Sequence, residues 1–399
     1  MSKARSAIVI GGGIAGPVTA TALHQAGIDA RIYESYPHES LGVGGGLGLA
    51  ANGIAALDVI GAGDAFRAVS EPARRQFMVL GGKQIELPPV DGIEPLRSVT
   101  RSDLYRVLHQ RAADAGVPIE YGKRIDGVEE HASGITAHFT DGSTATADVL
   151  IGADGIHSIV RTLIDPQAPG ANYTGMLAFG ATVDVDVDVE PESMYFVFGK
   201  KAYYLYWPTA DGKIVWAVNP PHREYLTLAQ AKAKPAEHWL RLIREFYGDD
   251  TPGGEFARAT TAENLITIGG LHIMPSVPHW HRGRMVLVGD AVHAPSNSTG
   301  QGASLAIESA VQLARCLRDL PDAASAFAAY ERLRRARVEK IAARGAQMNH
   351  QKTLGPIARM VMPKVMPIFM RMASAQKVTR DEQSYRIDWD APVQQELAA

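Results

Sequence analysis

Residues 6–34 constrain the fold more than any other stretch. Residues 6–10, Ser-Ala-Ile-Val-Ile, form a short apolar run that ends on Gly11-Gly12-Gly13-Ile14-Ala15-Gly16. An apolar run bounded by glycine reads as a buried parallel strand. Residues 14–26 read as a helix with small residues at its start, Leu23 inside and Gly27 as its stop. Residues 30–33 make a second strand, so the unit is β-α-β with G-x-G-x-x-G at its first turn. In such a turn the first glycine permits the sharp bend and the second lets backbone approach a pyrophosphate. The third lets helix and strand pack closely. The N–H groups and dipole of the helix then hold the phosphates. Glu34 stands eighteen residues past Gly16, at the end of the second strand. A carboxylate there accepts both ribose hydroxyls of an adenosine and repels a 2′-phosphate. The unit predicts a dinucleotide site, with NAD and FAD both open on these residues alone.

The rest of the chain divides by pattern. A second glycine cluster, residues 42–49, precedes a helix at about 52–61, and 101–115 reads as another helix with Leu104, Val107, Leu108 and Ala112 on one face. Asp141-Gly142 between two strand-like runs marks a hairpin. From about 172 to 278 the sequence turns aromatic and β-branched, with short alternating runs at 194–198, 203–207 and 214–218 and a turn at Asp211-Gly212. A strand at 285–288 and helices at 302–317 and 322–345 follow. The expected class is α/β (α+β). A Rossmann-like dinucleotide domain (1–171 and 279–345) carries an antiparallel-sheet substrate domain (172–278), and 346–399 forms a C-terminal helical segment and tail. Chain length, 399 residues, fits that division.

Composition narrows the function. A net charge of -3 argues against broad nucleic-acid binding, which needs a basic face to neutralise phosphates, so no nucleic-acid partner is expected. The single cysteine, Cys316, rules out an internal disulfide and a cysteine-pair metal site, and no metal is expected. No stretch approaches the ~20 apolar residues of a membrane span, and no signal-peptide core follows the start, so a cytoplasmic protein is expected.

Two further motifs decide between the dinucleotides. Gly152-Ala153-Asp154-Gly155-Ile156-His157-Ser158-Ile159-Val160-Arg161 follows a strand, and Gly289-Asp290-Ala291-Val292-His293 runs on to Gly300-Gln301-Gly302. With the first motif, in this order and separation, the chain resembles the class A flavin-dependent monooxygenases, the aromatic-hydroxylase family, from Ala7 to about Arg344. The resemblance implies FAD, with NADPH or NADH as co-substrate and O₂ as oxidant. It implies a flavin C4a-hydroperoxide that transfers oxygen to an electron-rich substrate. It places Gly11, Gly13, Ala15 and Gly16 on the pyrophosphate, Glu34 on the adenosine ribose, and Gly48 along the flavin. Arg101 reaches the phosphates or ribityl chain, Ile125 the adenine by its main chain, and Asp290 the ribityl hydroxyls. Gly300, Gly302, Ala303 and Ser304 present N–H groups to the pyrimidine edge. Asp154 belongs to a motif used for FAD and pyridine-nucleotide contact, or else holds its own loop together. His293 is a packed loop residue or a base. Only one G-x-G-x-x-G is present, so the nicotinamide is expected to share the cleft.

One departure concerns substrate. The family usually has Pro seven residues after the motif Asp, and Asn297 stands there, with Pro295 two residues earlier. Wall candidates on the middle sheet are Tyr195, Phe198, Tyr204, Tyr206 and Trp216, although alternation turns only one set inward. Few charges lie near them, apart from Lys200, Lys201 and Lys213, so a sizeable, mostly neutral aromatic or polycyclic substrate is expected. The run Arg332, Arg334, Arg335, Arg337, Lys340 and Arg344 is expected to be a solvated helix face. Met348, Met360, Met362, Met366, Met370 and Met372 suggest a bridging helix or an adaptable wall, with Pro363 and Pro367 breaking it, while Arg359, Lys364 and Arg371 leave a membrane-surface role as the minor alternative. A monomer and a homodimer both remain open. A flavin reductase or dehydrogenase on the same fold, and a flavoprotein that only sequesters its ligand, are the alternative functions.

Overall fold

The run Ser6–Ile10 lies inside a six-stranded sheet in a computed structural model of the chain, which describes residues 3–39, 45–351 and 373–398. The strand order is His281–Arg282, Met285–Leu287, Val149–Gly152, Ser6–Ile10, Asp29–Glu34 and Ile119–Tyr121, parallel except at the His281 edge. Both faces are covered, which is why Ile8, Val9, Leu150, Ile151, Val286 and Leu287 can all be buried. The helix Ala15–Gln25 is nearly free of large side chains and packs against Gly302–Asp319. The three motifs therefore meet at the carboxyl ends of adjacent strands, where open α/β sheets bind ligands.

The second sheet has seven strands, ordered Ile266–Ile273, Asn172–Val183, Ile214–Val218, Tyr203–Pro208, Ser193–Phe198, Arg75–Leu80 and Lys83–Leu87. It differs from expectation in two ways. Its last two strands come from residues 75–87, inside the span expected to belong wholly to the dinucleotide domain; Arg75–Leu80 pairs in parallel with Ser193–Phe198. The span 172–278 also holds three helices, Leu228–Ala233, Ala236–Tyr247 and Gly253–Ala259. Ala236–Tyr247 buries Trp239, Leu240, Ile243 and Tyr247. That stripe covers one face of the sheet and leaves the other toward the dinucleotide domain.

The long helix Ala323–Gln351 follows, and the helices Ala373–Gln383 and Val393–Ala398 return to the first domain. Arg318 donates to the Trp389 carbonyl (2.6 Å), Arg337 to that of Glu382 (2.6 Å), and Arg315 pairs with Glu396. The basic run is a solvated face only in part: Arg332 and Lys340 are exposed, but Arg334 is not. Arg334 is fully buried and Arg337 partly so, both paired with the buried Glu308. The methionine-rich stretch from Arg359 to Met372, with its prolines and cations, lies outside the described residues. Among the described residues no helix is long and apolar enough to cross a membrane, and no group of three or more potential metal ligands occurs.

Candidate active site

The glycines of the first turn are there for different reasons. A Cβ on Gly11, whose φ is +105°, would lie 2.5 Å from the Ala153 carbonyl oxygen, and one on Gly16 would lie 1.8 Å from that of Gly11. Those two are demanded by the chain's own packing. Beside Gly13 no atom of the described residues lies within 4 Å of where a Cβ would stand. That residue leaves a space the fold itself does not use, at the start of a helix whose first turn has no side-chain cap. Free N–H groups facing an open cradle suit an anionic phosphate.

Glu34 borders this cradle. One carboxylate oxygen accepts from the Gly12 N–H (2.6 Å), the other from Tyr36 N–H (2.8 Å) and Ser35 Oγ (3.1 Å). The Glu34 carbonyl accepts from Lys123 N–H (2.8 Å), which holds the chain leading to Ile125 alongside. The Ile125 side chain is in the core. His109, not singled out from sequence, sets its Nε2 2.6 Å from the Gly12 carbonyl and stacks on Tyr105. Burial holds the imidazole below its ordinary pKa, so it is a neutral donor that braces the glycine turn from beneath.

Arg101 opens the helix Arg101–Asp114, whose N-cap Thr100 accepts from Asp103 N–H. Its guanidinium is exposed and makes no hydrogen bond or ion pair among the described residues. Asp290 follows the strand Met285–Leu287 and is likewise exposed and without a hydrogen bond among those residues. Crowding by protein atoms pushes the Asp290 carboxyl up to about 6, and the positive charge of Arg101 opposes the rise. Both side chains are exposed and of opposite charge, and neither is tied to another side chain among the described residues.

The helix Gly302–Asp319 starts without a side-chain cap, and its first intrahelical bond runs from Leu305 N–H to the Gln301 carbonyl (2.8 Å). The N–H groups of Gly302, Ala303 and Ser304 therefore carry the positive end of the helix dipole with no partner inside it. Gly300, at φ +61°, turns the chain into this helix. The Ser304 side chain also braces the neighbouring helix. Its Oγ accepts from Ala50 N–H (3.2 Å), and a Cβ on Gly53 would fall 2.7 Å from that Oγ. Gly48 packs beneath Leu96, and Gly46 beneath the Trp207 ring.

The carboxylate of Asp154 is spent on its own loop, accepting from Ser158 Oγ (2.5 Å), Ile159 N–H (2.7 Å) and Val160 N–H (3.1 Å). It holds together the turn beside Gly11, the second of the two roles expected of it. Arg161 donates to the carbonyls of Ala291 and Ile156, tying the second motif to the third. His293 is buried with Nε2 2.9 Å from Ser309 Oγ, and burial beside Arg334 pushes it down to about 3. It is a packed, neutral residue. Tyr195, Tyr204, Tyr206 and Trp216 do not wall the cleft. They belong to the core beneath the covering helices, with Phe179, Trp239, Tyr247 and Phe256. The opposite set, Phe196, Leu205, Trp207 and Val215, packs with Ala73, Met194 and Leu96 on the other side of the sheet, and Phe198 belongs to it by alternation. Asn297 lies in the turn Asn297–Thr299 and donates through Nδ2 to Asn219 Oδ1 (3.1 Å), pinning that turn to the sheet.

The FAD binding domain family matches residues 5–345. The chain is 32% identical to the FAD-dependent urate hydroxylase of Klebsiella pneumoniae, over 84% of this chain and 87% of that protein. It is 31% identical to the 6-hydroxynicotinate 3-monooxygenase of Pseudomonas fluorescens, over 86% and 90%. The chain belongs to the class A flavin-dependent monooxygenases. The crystal structure of the Klebsiella pneumoniae protein HpxO complexed with FAD and uric acid superposes with a TM-score of 0.81 at 26% identity, covering 95% of this chain and 96% of that one. The residues fit the cofactor of the family. As a flavin-dependent monooxygenase, the chain would hold FAD by the glycine cradle and Glu34 at the adenosine end. Arg101 and Asp290 would hold it at the middle, and the start of the helix Gly302–Asp319 at the flavin.

Proposed function

We propose that this monooxygenase uses NADPH or NADH and O₂ to hydroxylate or epoxidise a sizeable, uncharged aromatic or polycyclic compound. Bound FAD supplies the electron transfer and oxygen activation. The protein orients the cofactor, keeps water out and holds the substrate against the sheet. The observation that carries the reading is the chemistry of the cleft-facing strand positions. Met194, Phe196 and Phe198, then Tyr203, Leu205 and Trp207, then Val215 and Ala217 share that side by alternation, and none is charged. The three lysines that could have spoken for an anionic substrate are engaged at the sheet edges. Lys200 Nζ donates to the Asp249 carbonyl (2.5 Å), Lys201 to that of Glu245 (2.8 Å), and Lys213 pairs with Asp211 (2.7 Å). A carboxylate brought against these positions would lose its water without gaining a cation from them.

The test is anaerobic reduction of the FAD-loaded protein by NADPH or NADH with neutral polycyclic aromatics or with aryl carboxylates, followed by ¹⁸O₂ turnover. Faster reduction with a neutral compound and one ¹⁸O atom in its product support the reading. Stimulation confined to the carboxylates, or product free of ¹⁸O, refutes it.

A further inference from the structure

The start of the cofactor-facing helix carries a side chain with a fixed orientation. Gln301 is its N-cap and is almost wholly buried. Its Oε1 accepts from Asn52 Nδ2 (2.8 Å). The same Asn52 nitrogen donates to Glu308 Oε1 (2.6 Å). Glu308 is fully buried about two turns further along the helix, with Arg334 2.5 Å from one oxygen and Arg337 2.8 Å from the other. These cations hold its carboxyl below the ordinary range despite burial.

The chain of contacts admits one assignment of donors. A carboxylate only accepts, so Asn52 must turn its NH₂ toward Glu308. That NH₂ has a second hydrogen, directed at Gln301, so Gln301 must answer with oxygen. A reversed Gln301 would set two NH₂ groups face to face. The Gln301 Nε2 therefore points away from Asn52. It makes no hydrogen bond among the described residues, and it is not one of the sealed-off polar atoms, so the small exposed part of Gln301 includes it. Gly300 and Gly302, the glycines on either side, have no atom of the described residues within 4 Å of where a Cβ would stand.

We propose that Gln301 is a cofactor-contacting donor that adds its Nε2–H to the helix N–H groups. Asn52 and Glu308 act as positioning residues that forbid its amide from flipping. This rests on FAD occupying the cleft as described above. A donor there interacts more strongly with the negative charge of reduced flavin than with the neutral oxidised ring, so it raises the reduction potential of the bound cofactor. The buried ion cluster behind the helix, otherwise a packing feature, then sets how readily the flavin takes electrons.

The experiment measures the reduction potential of FAD bound to the full-length protein by equilibration with a reference dye. The proteins are wild type, Gln301→Leu, Gln301→Glu, Asn52→Leu and the double variant Asn52→Leu/Gln301→Leu. Gln301→Leu should lower the affinity for reduced relative to oxidised FAD about tenfold, about 30 mV for a two-electron couple. Gln301→Glu keeps the shape, leaves an acceptor where the donor was, and should shift the potential further the same way. Asn52→Leu should shift it toward the Gln301→Leu value and add nothing on top of Gln301→Leu. Gln301→Leu and Gln301→Glu proteins that bind FAD at the wild-type potential overturn the proposal, as does an Asn52→Leu shift that adds in full to that of Gln301→Leu. If Asn52→Leu does not fold, the two Gln301 variants decide. A wild-type protein that takes up no FAD removes the cofactor reading itself, and the proposal falls with it.

Discussion

Gly13→Ala adds one methyl group where no atom of the described residues lies within 4 Å. The backbone there is outside the left-handed region, so alanine adopts it without strain. The cofactor-free protein should keep its stability to within about 0.5 kcal/mol, as for an exposed substitution away from special features. The bound state is different. The methyl group stands where backbone must approach a pyrophosphate, and pushing the phosphates out lengthens about two charge-assisted N–H contacts. At about 1.5–3 kcal/mol each the loss is roughly 3–6 kcal/mol, or about 10²–10⁴-fold in affinity. Gly16→Ala is the contrast, because its Cβ would meet a backbone oxygen at 1.8 Å and neither partner can swing aside. That variant should be recovered poorly even before FAD is added. Titration of cofactor-free protein with FAD, followed by flavin fluorescence, gives the affinities, and thermal melts without FAD give the stabilities. A Gly13→Ala protein that binds FAD within about threefold of wild type would refute the reasoning, and so would one whose cofactor-free form melts as low as Gly16→Ala.

Glu308→Gln removes the counter-charge of the fully buried Arg334 and should cost about 3–5 kcal/mol; a urea midpoint shift worth less than about 1 kcal/mol would show the pair to be solvated. His293 is held near 3 in the fold against an ordinary 6.5. The unfolded chain takes the proton first, so this contribution is intact above pH 6.5 and is lost as the pH falls toward 3, by about 1.4 kcal/mol per unit. His293→Gln should flatten that slope in urea melts at pH 7, 6 and 5, and an unchanged slope would place the titration elsewhere. Ala217→Trp fills the cleft-facing side of the sheet and should abolish turnover of large substrates at full FAD content. Tyr206→Phe, on the helix-covered side, should leave KM unaltered, and the reverse pattern would mean that the faces have been exchanged.

What could be read from sequence follows from how each feature is encoded. The glycine turn, Glu34 and the helix start at Gly302 are set by local backbone, and the spacing of a few neighbouring residues shows them. The faces of the second sheet are not. Alternation separates Tyr195, Tyr204, Tyr206 and Trp216 from Phe196, Leu205 and Trp207, but both sets are apolar, and parity does not say which one the helices cover. The stripe of Trp239, Leu240, Ile243 and Tyr247 held the answer at helical spacing, inside a span that reads as sheet. Residues 75–87 escaped because their strand partner lies more than a hundred residues away. The roles of Asp154 and the basic run depended on which partners the fold brought near: Ser158 and two N–H groups in one case, the buried Glu308 in the other.

The order of strands in the first sheet also bears on synthesis. Ser6–Ile10 finds one neighbour at once in Asp29–Glu34, but its other neighbour is Val149–Gly152, and the helix that closes the flavin end begins only at Gly302. At about 5–20 residues per second, the roughly 290 residues between Ile10 and that helix take about 15–60 s to make. The apolar edge of Ser6–Ile10 stands open until Val149–Gly152 is made, and that of Val149–Gly152 until Met285–Leu287 follows. Cofactor capture is therefore a late event, and a nascent chain stalled before Gly302 would be one that chaperones hold and FAD cannot rescue.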